Sequence, residues 1–222
     1  MSINDRPTGC IMLLQELRKI ADGEIIDYPF LMDLLGDYAS PRDKITLLLK
    51  QGSLVRVKKG LYVFGELLAR EPYSQKVLAN LIYGPSYISL EYALSYHGLI
   101  PEGVSEITSV TPKRDKYFAT PVGNFSYRYL HRKKYAMGIE QHDALDKYPY
   151  LIASAEKALV DLLLLRNPNI KDLEEMNEHL FENLRIDHED LANLSSVNIR
   201  QMNDTIKHSH LLYFAQAIES LS

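Results

Sequence analysis

The sequence predicts an α+β fold in three parts: a small N-terminal domain of three helices and a hairpin, a mixed α/β domain, and a helical C-terminal extension. Three observations predict it. Residues 40–64 have the pattern of a helix followed by two short strands, the middle of the chain alternates between helical and strand patterns, and the remainder is helical and acidic. We expect domains over residues 1–66 and 73–168, with an acidic extension, residues 169–222, packed on the second domain.

The most clearly patterned stretch is residues 40–64, SPRDKITLLLKQGSLVRVKKGLYVF. Ser40 suits the N-cap of a helix, and Pro41 suits its first position, where an N–H would have no partner. Gly52 suits the left-handed residue that ends a helix. The predicted helix carries an apolar stripe formed by Ile45, Leu48 and Leu49, and the hairpin strands are residues 54–57 and 61–64 around the turn Lys58-Lys59-Gly60.

Two further helices are predicted before this stretch. Periodic leucines predict one over Ile11–Ala21, after a loosely packed lead of residues 1–10, and Asp27 suits the N-cap of another over Tyr28–Leu35. Three helices followed by a hairpin is the order of a winged helix-turn-helix domain, whose third helix enters the major groove while the hairpin lies along the backbone or in the minor groove. The alternative is a small helical domain whose basic face is only solvated.

Positive charge is concentrated in two segments, although the chain has a net charge of −4. Residues 42–59 carry six basic groups and one acid, and residues 113–134 carry seven basic groups and one acid. Residues 1–37 and 171–222 are acidic. Concentrated basic segments can face phosphates. We therefore predict contacts with double-stranded DNA from Arg42, Lys44, Thr46, Lys50, Arg56, Lys58, Lys59, Lys113, Arg114, Lys116, Arg128, Arg132, Lys133 and Lys134.

The second basic segment also contains aromatic rings between its cations. Rings that stack on bases, beside cations that pair with phosphates, suit nucleic acid. However, Phe125, Tyr127 and Tyr129 alternate with polar residues, which is the pattern of a half-buried strand. We favour the strand interpretation for the rings, with the cations left to meet DNA or an acidic partner.

The second domain is predicted to mix helices and strands. Apolar periodicity, caps and breaking residues predict helices over Ser74–Tyr83, Leu90–His97 and, after Ser154 as N-cap, Ala155–Leu165; a strand over Ile107–Thr111; a hairpin over Phe118–Leu130 that turns at Gly123-Asn124; and a strand over Tyr135–Ile139.

Composition and motifs exclude several classes of protein. The chain has no run of eighteen apolar residues, so we expect no membrane partner, and it shows no signal-peptide pattern. The single cysteine, Cys10, excludes an internal disulfide and fits a reducing cytoplasm. No glycine-rich nucleotide loop, nucleophile elbow or zinc-ligand spacing is present, so we expect no cofactor and no metal.

One helix carries a group of charged residues with the composition of a nuclease site. Nucleases of one type pair an aspartate with a Glu-x-Lys triplet on a strand, whereas Glu156 and Lys157 are adjacent here. Glu156 and Asp161, five positions apart, do not share a helix face, so they are a poor pair for a metal. We interpret these residues as structural and expect that the protein is not an enzyme.

The histidines give no strong catalytic signal. His97 ends an apolar helix and is expected to pack or cap there. His208 and His210 would point to different faces of a helix and could chelate a metal only from an extended segment.

Two motifs complete a recognisable order of segments. The hairpin region GSLVRVKKGLYVF is followed by YISLEYALSYHGL and then by IASAEKALVDLLLLR. Over residues 10–166 this order resembles the AbiEi-type antitoxins of bacterial type IV toxin–antitoxin (abortive infection) systems. The matching residues are Tyr87, Ile88, Ser89, Ala93, Leu94, His97, Gly98, Glu156, Lys157, Ala158 and Asp161.

The resemblance implies a DNA-binding repressor of its own operon. It also implies that the C-terminal region antagonises a cognate nucleotidyltransferase toxin, and that the protein is not an enzyme. Three alternatives remain at this stage: a solitary transcriptional regulator, a nuclease that its winged helix targets to nucleic acid, and a protein-interaction module that uses the acidic tail.

Overall fold

The structure is a computed structural model that describes residues 7–144 and 148–221, with side chains from Leu13 onward. The chain divides into two compact units, Met1–Ser74 with Thr120–Val122, and Gln75–Ala119 with Gly123–Ser222. Helices and strands both contribute substantially, which confirms the predicted α+β class.

The first unit has the element order helix, strand, helix, helix, strand, strand. The elements are α1 (Pro7–Ile20), β1 (Ile25–Asp27), α2 (Tyr28–Leu34), α3 (Pro41–Lys50), β2 (Leu54–Lys58) and β3 (Leu61–Phe64). The strands form one antiparallel sheet in the order β1-β3-β2. The predicted cap at Asp27 is confirmed, because its carboxylate accepts a hydrogen bond of 2.9 Å from the backbone N–H of Phe30.

The core of the first unit takes side chains from every one of its elements. Its buried residues are Leu13, Leu17, Ala21, Ile26, Leu31, Leu35, Ile45, Leu48, Leu54, Tyr62 and Phe64. Arg18 at the end of α1 is also buried, where it pairs with Glu24 and lies over the Phe64 ring, 4.2 Å from its centroid. Burial of these apolar surfaces is the main source of the unit's stability.

The second unit begins with α4 (Gln75–Ile82) and is built on one six-stranded sheet. Its other elements are β4 (Tyr87–Ile88), α5 (Leu90–Tyr96), β5 (Ile107–Thr111), β6 (Lys116–Thr120), β7 (Gly123–Tyr129), α6 (Arg132–Tyr135), β8 (Ile139–Ala144), β9 (Tyr148–Ala153) and α7 (Ala155–Arg166). The strand order is β6-β7-β5-β4-β9-β8. The sheet is mixed, because β4–β9 and β5–β7 are parallel pairs whereas β4–β5 and β8–β9 are antiparallel.

Helices cover both faces of this sheet. Ser109 is in register with Tyr127, whose hydroxyl donates a hydrogen bond of 2.6 Å to the Ala79 carbonyl of α4. The next residue of β5, Val110, is in register with Tyr87, whose hydroxyl donates a hydrogen bond to Asp161 of α7. Since successive side chains point to opposite faces of a strand, α4 and α7 lie on opposite faces. Helix α5 packs against α7 and β5.

The end of the chain is helical, as predicted. It comprises α8 (Leu173–Glu178), a π-helical turn (His179–Asn183), α9 (His188–Ala192), α10 (Ser196–Ile206) and α11 (Ser209–Glu219). Helix α10 contacts α6 and α7, and α11 contacts α8, α9 and α10. Among residues 7–144 and 148–221, no helix has both the length and the apolar composition to cross a bilayer.

Near the N-terminus the structure differs in three details from what the sequence predicts. Helix α1 begins at Pro7 rather than Ile11, so the loose lead was predicted too long; residues 1–6 of that lead lie outside the described chain. Strand β1 was not predicted, because three residues carry too little pattern and its partner, β3, lies far along the chain. Ser40 precedes α3 as expected, but its side chain makes no capping hydrogen bond.

Two expectations in the second unit are also wrong. The strand expected over Tyr135–Ile139 is not formed: α6, whose N-cap is His131, ends at Tyr135, residues 136–138 form a turn, and β8 begins only at Ile139. The hairpin does not turn at Gly123-Asn124, because β7 already begins at Gly123. Residues with left-handed backbone mark real turns elsewhere: Gly52 ends α3 with φ of 70°, as predicted.

We predict that Gly65→Ala destabilises the protein by about 2–3 kcal/mol. Gly65 follows β3, its N–H donates a hydrogen bond of 3.0 Å to the Ser53 carbonyl, and a Cβ atom there would overlap the backbone of Gly52. Urea-induced unfolding followed by circular dichroism measures the loss. Gly103→Ala is the control, because a Cβ at Gly103 meets nothing within 4 Å. Equal stabilities of the two variants would contradict the close backbone approach.

Candidate nucleic-acid interface

Helix α3 turns one face to solvent and the other to the core. Ile45 and Leu48 are buried. The exposed residues of the helix, which recur with a spacing of three and four and so share one face, are Arg42, Asp43, Thr46, Leu47 and Lys50. The structure therefore places three predicted DNA-contact residues, Arg42, Thr46 and Lys50, on a single exposed surface.

Local contacts limit what some predicted residues of α3 can do. The Thr46 hydroxyl donates a hydrogen bond of 2.9 Å to the Arg42 carbonyl, so its proton is already engaged within the helix. Lys44 is half-buried, with its ammonium 5.5 Å from the centre of the Tyr38 ring. Arg42 is exposed, and its Nε donates to the Tyr28 hydroxyl over 3.3 Å, which holds the guanidinium near the start of the helix.

The β2–β3 hairpin presents a second basic surface in the same unit. Arg56 and Lys59 are exposed, and Lys58 is half-buried. The register between β2 and β3 shifts between Arg56 and Lys58, and Gly60 closes the turn with φ of 86°. Arg56 lies 5.9 Å from the centre of the Tyr62 ring, a distance at which a cation–π attraction can orient its side chain.

The second basic segment divides into rings that are buried and rings that are exposed. Phe125 and Tyr127 are fully buried in β7, which agrees with the predicted half-buried strand. Tyr129, predicted to share their face, is 47% exposed because it lies near the end of the strand. Tyr117 of β6 is 55% exposed. Two rings therefore remain accessible for stacking beside the basic side chains of this segment.

The cations of the second segment differ in how available they are. Arg114, Lys116, Arg132 and Lys133 are exposed. Arg128 is exposed but pairs with Asp115, Nε to Oδ2 3.2 Å. Lys113 donates a hydrogen bond to the Gly84 carbonyl and lies over the Tyr83 ring, so its charge is partly engaged by residues 83 and 84.

An open cleft of about 580 Å³ lies beside this segment. It is formed by β5, β6 and β7 together with the ends of α5 and α7. Its charged lining residues are Glu91, Glu106, Asp115, Lys116, Arg128 and Arg166. Glu91 pairs with Arg166 across the cleft, so acids and bases largely compensate one another there.

The two motifs that carry the resemblance meet in the interior of the second unit. Lys157 and Asp161 of α7 are fully buried, and Nζ lies 2.7 Å from Oδ1. The other carboxylate oxygen, Oδ2, accepts hydrogen bonds of 2.8 Å from the hydroxyls of both Tyr87 and Ser89. Lys157 also donates to the Lys134 carbonyl over 2.7 Å, which ties the basic helix α6 to this network.

Burial and the partners of Asp161 have opposing effects on its pKa. Burial raises the pKa of Asp161, while the Lys157 ammonium and the hydroxyls of Tyr87 and Ser89 oppose that rise by stabilising the carboxylate. Burial also raises the pKa of Tyr87 well above its ordinary value, and the neighbouring Asp161 charge adds to the effect. Tyr87 is therefore a hydrogen-bond donor at neutral pH.

The acidic side chains considered for the nuclease alternative, Glu156 and Asp161, have hydrogen-bond partners within the protein. Asp161 has no access to solvent, and its Oδ1 and Oδ2 already face three donor groups. The Glu156 carboxylate accepts hydrogen bonds from the Ser154 hydroxyl, 3.0 Å, and the Ser195 N–H, 3.1 Å. Within the described part of the chain, no group of three or more His, Cys, Asp or Glu side chains is placed to hold a metal ion.

The histidines have structural partners. A ring nitrogen of His97 hydrogen-bonds the Ala153 carbonyl at 2.8 Å, which agrees with the packing role predicted for it. Only within a helix were His208 and His210 expected to point to different faces. His208 is instead the extended N-cap of α11, and its ring contacts the His210 ring with centroids 4.5 Å apart. Burial lowers the pKa of His208, and the neighbouring His210 lowers it further.

Sequence reasoning missed two exposed residues of α3. Leu47 is 38% exposed, although it is the first of three consecutive leucines, a composition typical of a core segment. Asp43 is exposed on the same face. Asp43 and Leu47 are four positions apart, so the sequence predicts that both lie on the same face of α3.

No protein-family model matches this chain, and no curated protein is similar enough to be counted as a relative.

We predict that Asp161→Ala costs about 3–5 kcal/mol of stability, because it leaves the Lys157 ammonium buried without its counter-charge. The double variant Lys157→Met/Asp161→Ala is expected to be more stable than Asp161→Ala, since it removes the orphaned charge as well. Urea-induced unfolding of wild type, both single variants and the double variant measures the coupling. Additive losses would contradict an ion pair that acts as one unit.

Proposed function

We propose that this protein binds double-stranded DNA through a winged helix-turn-helix domain in residues 1–66. The observation that carries the proposal is the exposed face of α3, where Arg42, Thr46 and Lys50 stand together next in sequence to a basic hairpin. The order of elements and the β1-β3-β2 sheet agree with this kind of domain. In such a domain α3 lies in the major groove and the hairpin contacts the backbone.

The basic residues have separable tasks in this proposal. Arg42 and Lys50, at the two ends of the exposed α3 face, pair with phosphates on either side of the groove. Arg56, Lys58 and Lys59 hold phosphates from the hairpin. In the second unit, Arg114, Lys116, Arg128, Arg132 and Lys133 form the remaining basic surface, with Tyr117 and Tyr129 available to stack.

We further propose that DNA binding serves regulation of the protein's own operon, and that the second unit antagonises a nucleotidyltransferase toxin. The resemblance to AbiEi-type antitoxins supports this role. The motifs around Tyr87 and around Lys157, on which the resemblance rests, belong to one hydrogen-bonded network and so lie together in the second unit.

We predict that Lys58→Ala/Lys59→Ala weakens binding to every DNA sequence and makes the salt dependence shallower by about one to two units, because each lost phosphate contact releases one fewer counterion. Gel-shift titrations at several salt concentrations, on the DNA upstream of the protein's own gene, measure both quantities.

A charge-matched control keeps this test specific. Lys171→Ala/Arg200→Ala removes two exposed cations of the second unit that lie outside both basic segments, and it should leave the salt slope unchanged. An unchanged affinity and slope in the hairpin variant would contradict the hairpin assignment. Failure of the wild type to bind any duplex at low salt would overturn the proposed function.

We predict that co-expression of this protein restores growth to cells that produce a nucleotidyltransferase encoded beside its gene. A variant lacking both Arg42 and Lys59 should still restore growth if neutralisation is separate from DNA binding, because both side chains belong to the first unit. Growth and viable counts are the readout. A DNA-binding protein that never rescues growth would be a solitary regulator instead.

A further inference from the structure

The exposed face of α3 carries two lines of side chains with different chemistry. Residues four apart in a helix lie one above the other. Arg42, Thr46 and Lys50 form the first line, and Asp43 and Leu47 form the second. The first line is cationic at both ends, whereas the second contains an acid and an apolar side chain.

The first line suits the phosphate backbone. Arg42 and Lys50 can each neutralise a phosphate, and the engaged hydroxyl of Thr46 has no further proton to donate to a base.

The second line does not suit phosphates. Asp43 is repelled by them, and an apolar side chain gains nothing from contact with an anionic oxygen. The core does not account for Leu47 either, since Leu48 is buried at 1% exposure while Leu47 is 38% exposed. Base edges are the part of the major groove that carries apolar surface, and the only methyl group there belongs to thymine.

We propose that Leu47 is a specificity-determining residue that packs against the 5-methyl group of one thymine in the major groove. The inference rests on the proposed DNA binding, and it assigns to the Leu47 side chain the chemical group that it recognises, a thymine methyl group. Burial of one methyl group corresponds to an affinity ratio of about three to five.

The experiment removes only that methyl group. Sequences bound by the wild type are selected from a pool of randomised duplexes, and each thymine of the selected sequence is then replaced in turn by uracil. The expected result is one position at which uracil weakens wild-type binding about threefold to fivefold. Leu47→Ala should lose most of this difference between the thymine and uracil duplexes, because it lacks the three outer carbons of the leucine side chain and keeps only the Cβ methyl group.

A matched variant controls for general effects of losing an exposed leucine. Leu212 is 45% exposed on α11 of the second unit, so Leu212→Ala should keep the full sensitivity to uracil. Because Leu47 is not part of the core, circular dichroism and unfolding of Leu47→Ala should match those of the wild type.

Two outcomes overturn different statements. If the selected duplex binds but no uracil substitution distinguishes wild type from Leu47→Ala, the role of Leu47 is wrong while DNA binding stands. If no sequence is enriched and the wild type binds no duplex at low salt, the proposed DNA binding itself is wrong, and the inference falls with it.

Discussion

The second unit depends on a single pair of charges that must be satisfied away from water. Lys157 and Asp161 are fully buried on α7, and each charge would be very costly there alone. The partners that stabilise them come from separate parts of the chain: the hydroxyls of Tyr87 and Ser89 around β4, and the Lys134 carbonyl at the end of α6. We interpret the pair as a device that selects one arrangement of these three segments. Because Lys157 and Asp161 are paired within α7, any other arrangement would leave the pair buried without the hydrogen bonds that Tyr87, Ser89 and the Lys134 carbonyl supply.

This interior arrangement also has consequences at the surface. Because Lys157 holds the Lys134 carbonyl, the short helix α6 is fixed with Arg132 and Lys133 exposed. In the first unit, apolar packing fixes the position of α3, because Ile45 and Leu48 are buried in the core. The opposite face of α3 is therefore free to carry charge and an exposed leucine, and its residues can vary without loss of packing.

The sequence predicted where the basic side chains of the candidate interface lie. It predicted less well which of them are already engaged in contacts within the protein. The positions of Arg42, Lys50, Arg56 and Lys59 could be read from the sequence, because exposure of a cation in an amphipathic element follows from periodicity. The engagement of Lys113 with the Gly84 carbonyl could not, since its partner lies 29 positions away. Helical periodicity also predicts an exposed position at Leu47, but a leucine is usually assigned to the core.

The sequence by itself determined what neighbouring residues decide: the cap at Asp27, the turn at Gly52, the β2–β3 hairpin, the apolar helix α7 and the α+β class. These follow from steric and hydrogen-bonding preferences within a few positions. Only the tertiary structure decided the strand order β6-β7-β5-β4-β9-β8, the existence of β1, and the meeting of Tyr87 and Ser89 with Asp161, which lies 74 and 72 positions away from them. Such pairings depend on which distant surfaces can be buried together, and a local pattern holds no information about a distant partner.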